Sequence, residues 1–541
     1  MIGTLFNKIR FFSIHSMFGA THTPTKKSML AHTLHVGRLT AISRFLGMIR
    51  EMLMANYLGA NALSDVFIAA FSIPNALRKI FAEGALSAAI VPEIVRIVRQ
   101  EGQKSVSNIM TSCLIIFQGM VLVLCALIMW HAEFIMKIRV PGFSPEQLSY
   151  GAQLLRILAP FIFFLSSSSL LASALHSIAR FGVPAFGPIL LNIAFIVSIL
   201  LCIWFNFSIK FLCFGILFGG FLLLMLHLAA YMQAQFFFGR MVLTDISRIR
   251  SVLGHFFFSA IAMSTVELKL IIDSQFASYL PEGSLSLIYY AERFMGIPLG
   301  IFATSFAVVL LPYLSRVCKE APEQLHFYLL ESFKLVFWVV IPVMMIMGFL
   351  APDIFITLFS SKKFDLFHAQ QAGVVLQVYL LGLFFYSINK TLHNFFFSFQ
   401  ATWIPATVSI VSAFFNVGLN VIMMRFFLAP GLILASNIAV GGEMIAMVII
   451  LAYWFEVPLD VSRFCNFMVR STLHALGHII IFLSLFYGIK QCMIFLFPGH
   501  QQLLFTTILF WAWVCPILGL IALSLLYTRR FAGIDLYFLD E

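Results

Sequence analysis

The chain has 541 residues, 61% hydrophobic, 15% aromatic and 11% charged, with 62 Phe and a mean hydropathy of +0.98. That composition excludes a water-soluble domain and identifies a polytopic membrane protein. The net charge of +11 would suggest nucleic acid in a soluble protein; here topology and the anionic inner leaflet explain it, and no nucleic-acid partner is expected.

Residues 1–28 hold one short apolar patch, FFSIHSMFG, and no cleavable-signal pattern. They read as a cytoplasmic extension, with Met17 or Met29 as alternative starts to Met1. A spanning helix needs about 20 mostly apolar residues. Such runs predict fourteen helices, at about 30–58, 62–96, 105–136, 150–178, 183–206, 210–236, 250–280, 285–316, 327–350, 370–398, 404–425, 430–455, 468–490 and 502–528. With the N-terminus inside, eighteen Lys and Arg fall on inner segments and seven on outer ones, which places both termini in the cytoplasm. The eight Cys form no C-x-x-C and sit mostly in apolar runs, as buried small hydrophobes would. No P-loop or G-x-S-x-G occurs, and the longest polar break, about 351–369, is too short for a catalytic domain, so no enzyme is expected.

The chain matches itself at an offset of about 221 residues: ANYLGANALSDVFIAAFSIP (55–74) with ASYLPEGSLSLIYYAERFMGIP (277–298), IVPEIVR (90–96) with LLPYLSR (310–316), and SIARFGVPA (177–185) with SFQATWIPA (398–406). Six helices separate equivalent positions, so the halves share one orientation and are related by an axis along the membrane normal. This predicts an N-terminal lobe over 29–240, a C-terminal lobe over 241–460 and two added helices over 461–541. Pro74, Pro92, Pro298 and Pro312, with Gly84, Gly296 and Gly300, predict bent helices facing a space between the lobes.

Charge inside the spans is the informative feature. SRFLGMIRE places Arg44, Arg50 and Glu51 in the first span, and Arg78 and Arg293 lie in the second and eighth. Each basic residue at the bilayer centre costs ~2.5–3.5 kcal/mol. The bland reading puts Arg44 near the inner interface and pairs Lys79 with Glu83 at i,i+4. Arg50 and Arg78 are predicted to lack a local partner. A guanidinium stays charged and pairs bidentately with phosphate, so these four arginines fit a diphosphate-bearing substrate better than a drug cation, with Glu51, Glu83 and Glu292 spacing them when the site is empty. Asp273, Asn416, Asn420 and Ser436 are oxygen donors suited to Na⁺; the alternative is a salt bridge from Asp273 to Lys269, near Glu267. His474 and His478 share a helix face but lack a third ligand, so no metal is expected there.

SRFLGMIRE, SDVFIAAFSIPNALRKIFAEGALSAAIVPEI, VPAFGPILLNI and YYAERFMGIPLGIFATSFAVVLLPYLS resemble the MurJ (MviN) lipid II flippases of the MOP exporter superfamily, from about residue 37 onward. The resemblance implies an all-α protein of fourteen transmembrane helices, two six-helix lobes plus two C-terminal helices, in the bacterial inner membrane. It further implies alternating access and the outward movement of undecaprenyl-diphosphate-linked disaccharide peptide for peptidoglycan synthesis. Lipid II and membrane lipids would be its partners, with cell-wall synthesis proteins as further ones. Carried over, the essential cavity arginines fall on Arg44, Arg50, Arg78 and Arg293. The acidic partners fall on Glu51, one methylene longer than the usual Asp, on Asp65 and on Glu83. A sodium site would fall on Asp273, Asn416, Asn420 and Ser436, where Asn420 replaces Asp, and a groove at helices 13–14 would hold the lipid tail. No other cofactor is implied. The rivals are another MOP-type transporter, either an oligosaccharide-lipid flippase or a cation-coupled exporter, which should carry an acidic cavity, and a non-transporting cell-wall scaffold.

Overall fold

The computed structural model describes residues 26–82, 103–178, 180–239 and 271–540, with single positions in the intervals 83–102 and 240–270. All regular structure among the described residues is helical. Nine of these helices are long and apolar enough to span a membrane, or ten if one bent pair is a single span. The chain divides into two compact units: Met1–Tyr57 with Ala62–Ile271, and Leu58–Asn61 with Ile272–Glu541. The lobe boundary expected at 240/241 falls beside a stretch with few described residues.

The first unit comprises α1 (Lys26–Leu58), α2 (Ala62–Ala82), α3 (Gln103–Trp130), α4 (Ala132–Arg139), α5 (Pro145–Leu158), α6 (Phe161–Ser177), α7 (Gly182–Phe205) and α8 (Ile209–Gln233). The fourth expected span is interrupted at Ala159 and Pro160, because proline cannot donate to the preceding turn. Upstream, Ser144 caps α5 in a reciprocal box with Gln147, and Pro145 occupies the first turn, which fixes the start. Helix α6 forms the centre of this unit. Its Ser166–Ser169 run is buried, with Ser166 donating to Gln118 Oε1 at 3.0 Å and Ser168 to the Phe164 carbonyl at 2.8 Å. Small hydroxyl residues let neighbouring helices approach closely while leaving no polar atom stranded in lipid.

The second unit comprises α9 (Ser284–Pro298), a π-helical turn (Leu299–Thr304), α10 (Ser305–Glu320), α11 (Leu325–Leu358), α12 (Leu366–Leu381), α13 (Leu383–Ser398), α14 (Trp403–Trp454), α15 (Val461–Leu496), α16 (Gln501–Thr506), α17 (Phe510–Thr528) and α18 (Tyr537–Asp540). The eighth expected span thus contains Pro298 followed by a π turn. There the Thr304 and Ser305 hydroxyls bond the Leu299 and Gly300 carbonyls, each at 3.3 Å, replacing part of the lost ladder. Helix α14 holds two expected spans, with the break at Leu428 (φ 53, ψ −131). The long break expected over 351–369 shrinks to 359–365, because α11 runs on to Leu358 through Pro352.

Leu58–Asn61 packs within the second unit. Gly59 (φ 78) passes so close to the Lys363 carbonyl that a Cβ would lie 2.3 Å from it, and Gly283 (φ 88) meets the Ala60 carbonyl in the same way. Only glycine combines that conformation with that proximity. The C-terminal segment also returns to this unit. The Tyr537 amide donates to Glu331 Oε2 at 3.3 Å, Phe538 packs edge-on against Phe306 at 5.2 Å, and Tyr537 against Phe327 at 5.1 Å.

Candidate functional site

In the first unit, Arg50 is held from three sides. Its Nη1 donates to Asn192 Oδ1 at 3.1 Å, its guanidinium lies 5.0 Å from the Phe195 ring centroid, and its Nη2 pairs with Glu51 Oε1. Asn192 is itself fixed, donating to the Ser43 carbonyl at 2.9 Å. Arg50 was expected to lack a local partner because Glu51 shares a helix face with Arg44, seven residues earlier, and Arg50 points elsewhere; the long side chain instead reaches Glu51. One edge, Nε, is buried without a hydrogen-bond partner. Glu51 is 4% exposed while Arg50 is only partly buried, so the pairing chiefly spares a buried carboxylate, which would be costly without a partner.

Arg78 Nε donates to Asn75 Oδ1 at 3.1 Å, one turn earlier on α2, again a local partner that the sequence did not suggest. Arg44 is exposed. Asp65 is buried in the first turn of α2, where the helix dipole favours an acid. Glu83, Glu267 and Lys269 lie outside the described residues, so the Lys79–Glu83 pair and the Asp273–Lys269 bridge do as well.

In the second unit, Arg293 lies over the Tyr289 ring at 4.5 Å, and Glu292 beside it is half-buried. The four predicted oxygen donors meet. Asn416 and Asn420 direct their amides to Asp273 Oδ1 at 2.7 and 3.0 Å, and Ser436 donates to Oδ2 at 2.9 Å. Asn420 Oδ1 is left buried without a partner. Turning both amides over would present two amide oxygens, a hydroxyl and a carboxylate to one point, a donor set that fits a hard monovalent cation. His474 and His478 bond Thr528 and Ser524 of α17 at 2.8 and 3.0 Å. Those contacts tie α15 to α17, and among the described residues no cluster of three or more His, Cys, Asp or Glu side chains is placed to hold a metal ion.

The family model for "Lipid II flippase MurJ" matches residues 54–499. The chain belongs to the MurJ family. A probable lipid II flippase MurJ of Buchnera aphidicola subsp. Acyrthosiphon pisum is 32% identical over 428 residues, covering 76% of this chain and 81% of that protein. A solved MurJ in an inward closed conformation superimposes with a TM-score of 0.71 at 24% identity, over 82% of this chain and 92% of the other. An inward-facing multidrug MATE transporter of the MOP superfamily gives 0.59 at 16% identity, over 85% and 98%. These two likenesses concern the fold. Arg44, Arg50 and Glu51 precede the residues matched to the MurJ family, whereas Arg78, Arg293 and the Asp273 group fall inside them.

One cavity of about 420 Å³ in the second unit is walled by Ile301 and Phe302 of the π turn, Phe306 of α10, Val336 and Trp338 of α11, and Leu525 of α17. Leu539 of the returning C-terminal segment completes its lining. Motif reading missed two groups. Asn192 lies within the stretch VPAFGPILLNI, but one amide in an apolar helix is ordinary and no role was expected of it. Glu443 did have one: it is an acid within an apolar run, GGEMIAMVII, and is 5% exposed.

Proposed function

We propose that this chain moves lipid II, undecaprenyl-diphosphate-linked disaccharide peptide, from the inner to the outer leaflet of the bacterial inner membrane by alternating access, performs no covalent chemistry, and keeps both termini in the cytoplasm. Membership of the MurJ family across residues 54–499 carries this reading. The side chains support it. Arg44, Arg50 and Arg78 on the first unit and Arg293 on the second are the groups assigned to the diphosphate, since a guanidinium keeps its charge at any working pH and forks onto phosphate oxygens. Arg50 is pre-set by Phe195 and Asn192, so little side-chain freedom is lost when an anion replaces Glu51. Glu51, Asp65, Glu83 and Glu292 balance these cations on the empty return.

The apolar cavity bounded by α11, α17 and the π turn suits part of the prenyl chain. Asp273, Asn416, Asn420 and Ser436 would hold Na⁺, whose binding would supply charge neutralisation at Asp273. The test is depletion of the protein in cells, a leaflet-specific assay of lipid II, and rescue with Arg78→Ala or Arg293→Ala. Loss of outward delivery is expected for both, and normal delivery by both would overturn the diphosphate assignment.

A further inference from the structure

Glu443 lies on the α14 segment after the Leu428 break, in a span where a carboxylate is expensive. Ser409, on the segment before the break, donates its hydroxyl to Glu443 Oε1. His393 of α13 brings Nε2 to 3.8 Å from that same oxygen, and this ring nitrogen is buried with no hydrogen-bond partner. Among the described residues, the other ionisable groups of the region are Tyr386 and Lys390 on α13, Tyr379 on α12, Glu292 and Arg293 on α9, and Asp273. Tyr386 lies within electrostatic reach of Asp273, Glu292 and Glu443 together, and Tyr379 within reach of Asp273, Glu292 and Arg293. Asp273 has its own donors in Asn416, Asn420 and Ser436. Glu443 faces an imidazole instead, the side chain whose charge changes between about pH 5 and 8.

We propose that Glu443, His393 and Ser409 form a proton-binding site, and that its proton is exchanged with water during the transport cycle. A carboxyl–imidazole pair holding one proton is neutral overall, whether the proton sits on oxygen or on nitrogen. Adding or removing a proton leaves a net charge, which a low-dielectric interior disfavours. The proton is therefore locked while the pair is buried and is exchanged with bulk water when a conformational change wets it. No electrons move, and the only bonds made or broken are O–H and N–H. Proton binding stands on the geometry alone; its coupling to transport rests on the lipid II reading above.

The experiment uses the purified full-length chain in Na⁺-free buffer without lipid II. Infrared difference titration follows the C=O stretch of a protonated buried carboxyl. Wild type is expected to show a band that disappears on raising the pH, and Glu443→Gln, which is isosteric and keeps an acceptor for Ser409, is expected to lack it. Ser409→Ala should hold the band to higher pH, because the donor favouring the carboxylate is gone. Identical titrations in wild type and Glu443→Gln overturn the site. Should Glu443→Gln fail to fold, an unchanged titration in Ser409→Ala overturns it. In proteoliposomes carrying lipid II, reversing an imposed pH gradient should change the wild-type rate several-fold and leave Glu443→Gln unaffected; equal responses overturn the coupling while leaving proton binding in place. Absence of lipid II movement by wild type, with the carboxyl band present, would instead overturn the lipid II reading.

Discussion

Arg50 cannot be exchanged for lysine without loss, although the charge is kept. Lysine has no planar fork to lie over Phe195 while reaching Asn192 and Glu51 together. One charge-assisted hydrogen bond is worth about 1.5–3 kcal/mol, so Arg50→Lys should lower delivery of lipid II to the outer leaflet by about tenfold or more. Asn192→Leu should weaken the same step more mildly by freeing the guanidinium, and Arg50→Lys with Asn192→Leu should cost less than the product of the singles, because the two residues form one unit. Part of this site was legible: an arginine in a hydrocarbon-length segment is costly enough to announce itself. Its partners were not, since Asn192 is 142 residues away and Glu51 is adjacent, and neither relation follows from helical periodicity.

At the scale of elements, hydropathy located the helices because lipid demands apolar runs of a set length, and the ends of α7 and α8 fall within a few residues of the expected ones. Breaks within helices were harder to read. Pro298 marked one break, and Leu428 falls in the gap expected between the spans ending at 425 and starting at 430, whereas the break at Ala159 and Pro160 lies inside an expected span. Gly59 offers a direct test. Gly59→Ala forces a Cβ toward the Lys363 carbonyl in a left-handed conformation costing about 1–2 kcal/mol, and should lower the melting temperature by several degrees. Asp365, outside the spans, caps α12 by accepting the His368 amide and contacting its ring. That amide, first of all, holds the carboxylate below its ordinary range. The cap therefore contributes above the ordinary carboxylate range and is lost as pH falls through the lowered value. Hydrogen exchange at His368 should be slower in wild type than in Asp365→Ala near neutrality, and the difference should vanish in acid.

For the molecule as a whole, the two halves suggested by the internal repeat carry different polar interiors. In the first unit Arg50 is held by Glu51, Asn192 and Phe195; in the second, Asp273 accepts from Asn416, Asn420 and Ser436. A ligand that binds only the folded state stabilises it by about 2.7 kcal/mol at a hundredfold excess over Kd. Melting of the purified protein in NaCl should therefore exceed that in choline chloride, and Asp273→Asn should abolish the difference. Equal melting of wild type in both salts would remove the sodium assignment and leave the Asp273 group as a hydrogen-bonded brace. Hydropathy and charge predicted the helical class because the bilayer imposes both on every segment. The oxygen set around Asp273 was legible because its members are rare polar residues, whereas the apolar cavity was invisible, being lined by residue types found throughout the chain.

The return of Tyr537–Leu539 to the wall of the 420 Å³ cavity has a practical corollary. A reporter or affinity handle fused behind the last residue would be moored beside that wall, where its bulk would pull the terminal aromatics from Phe306 and Phe327. Fusions at the opposite terminus avoid that strain, and a rear-fused copy that complements poorly would trace the defect to the anchorage of the tag.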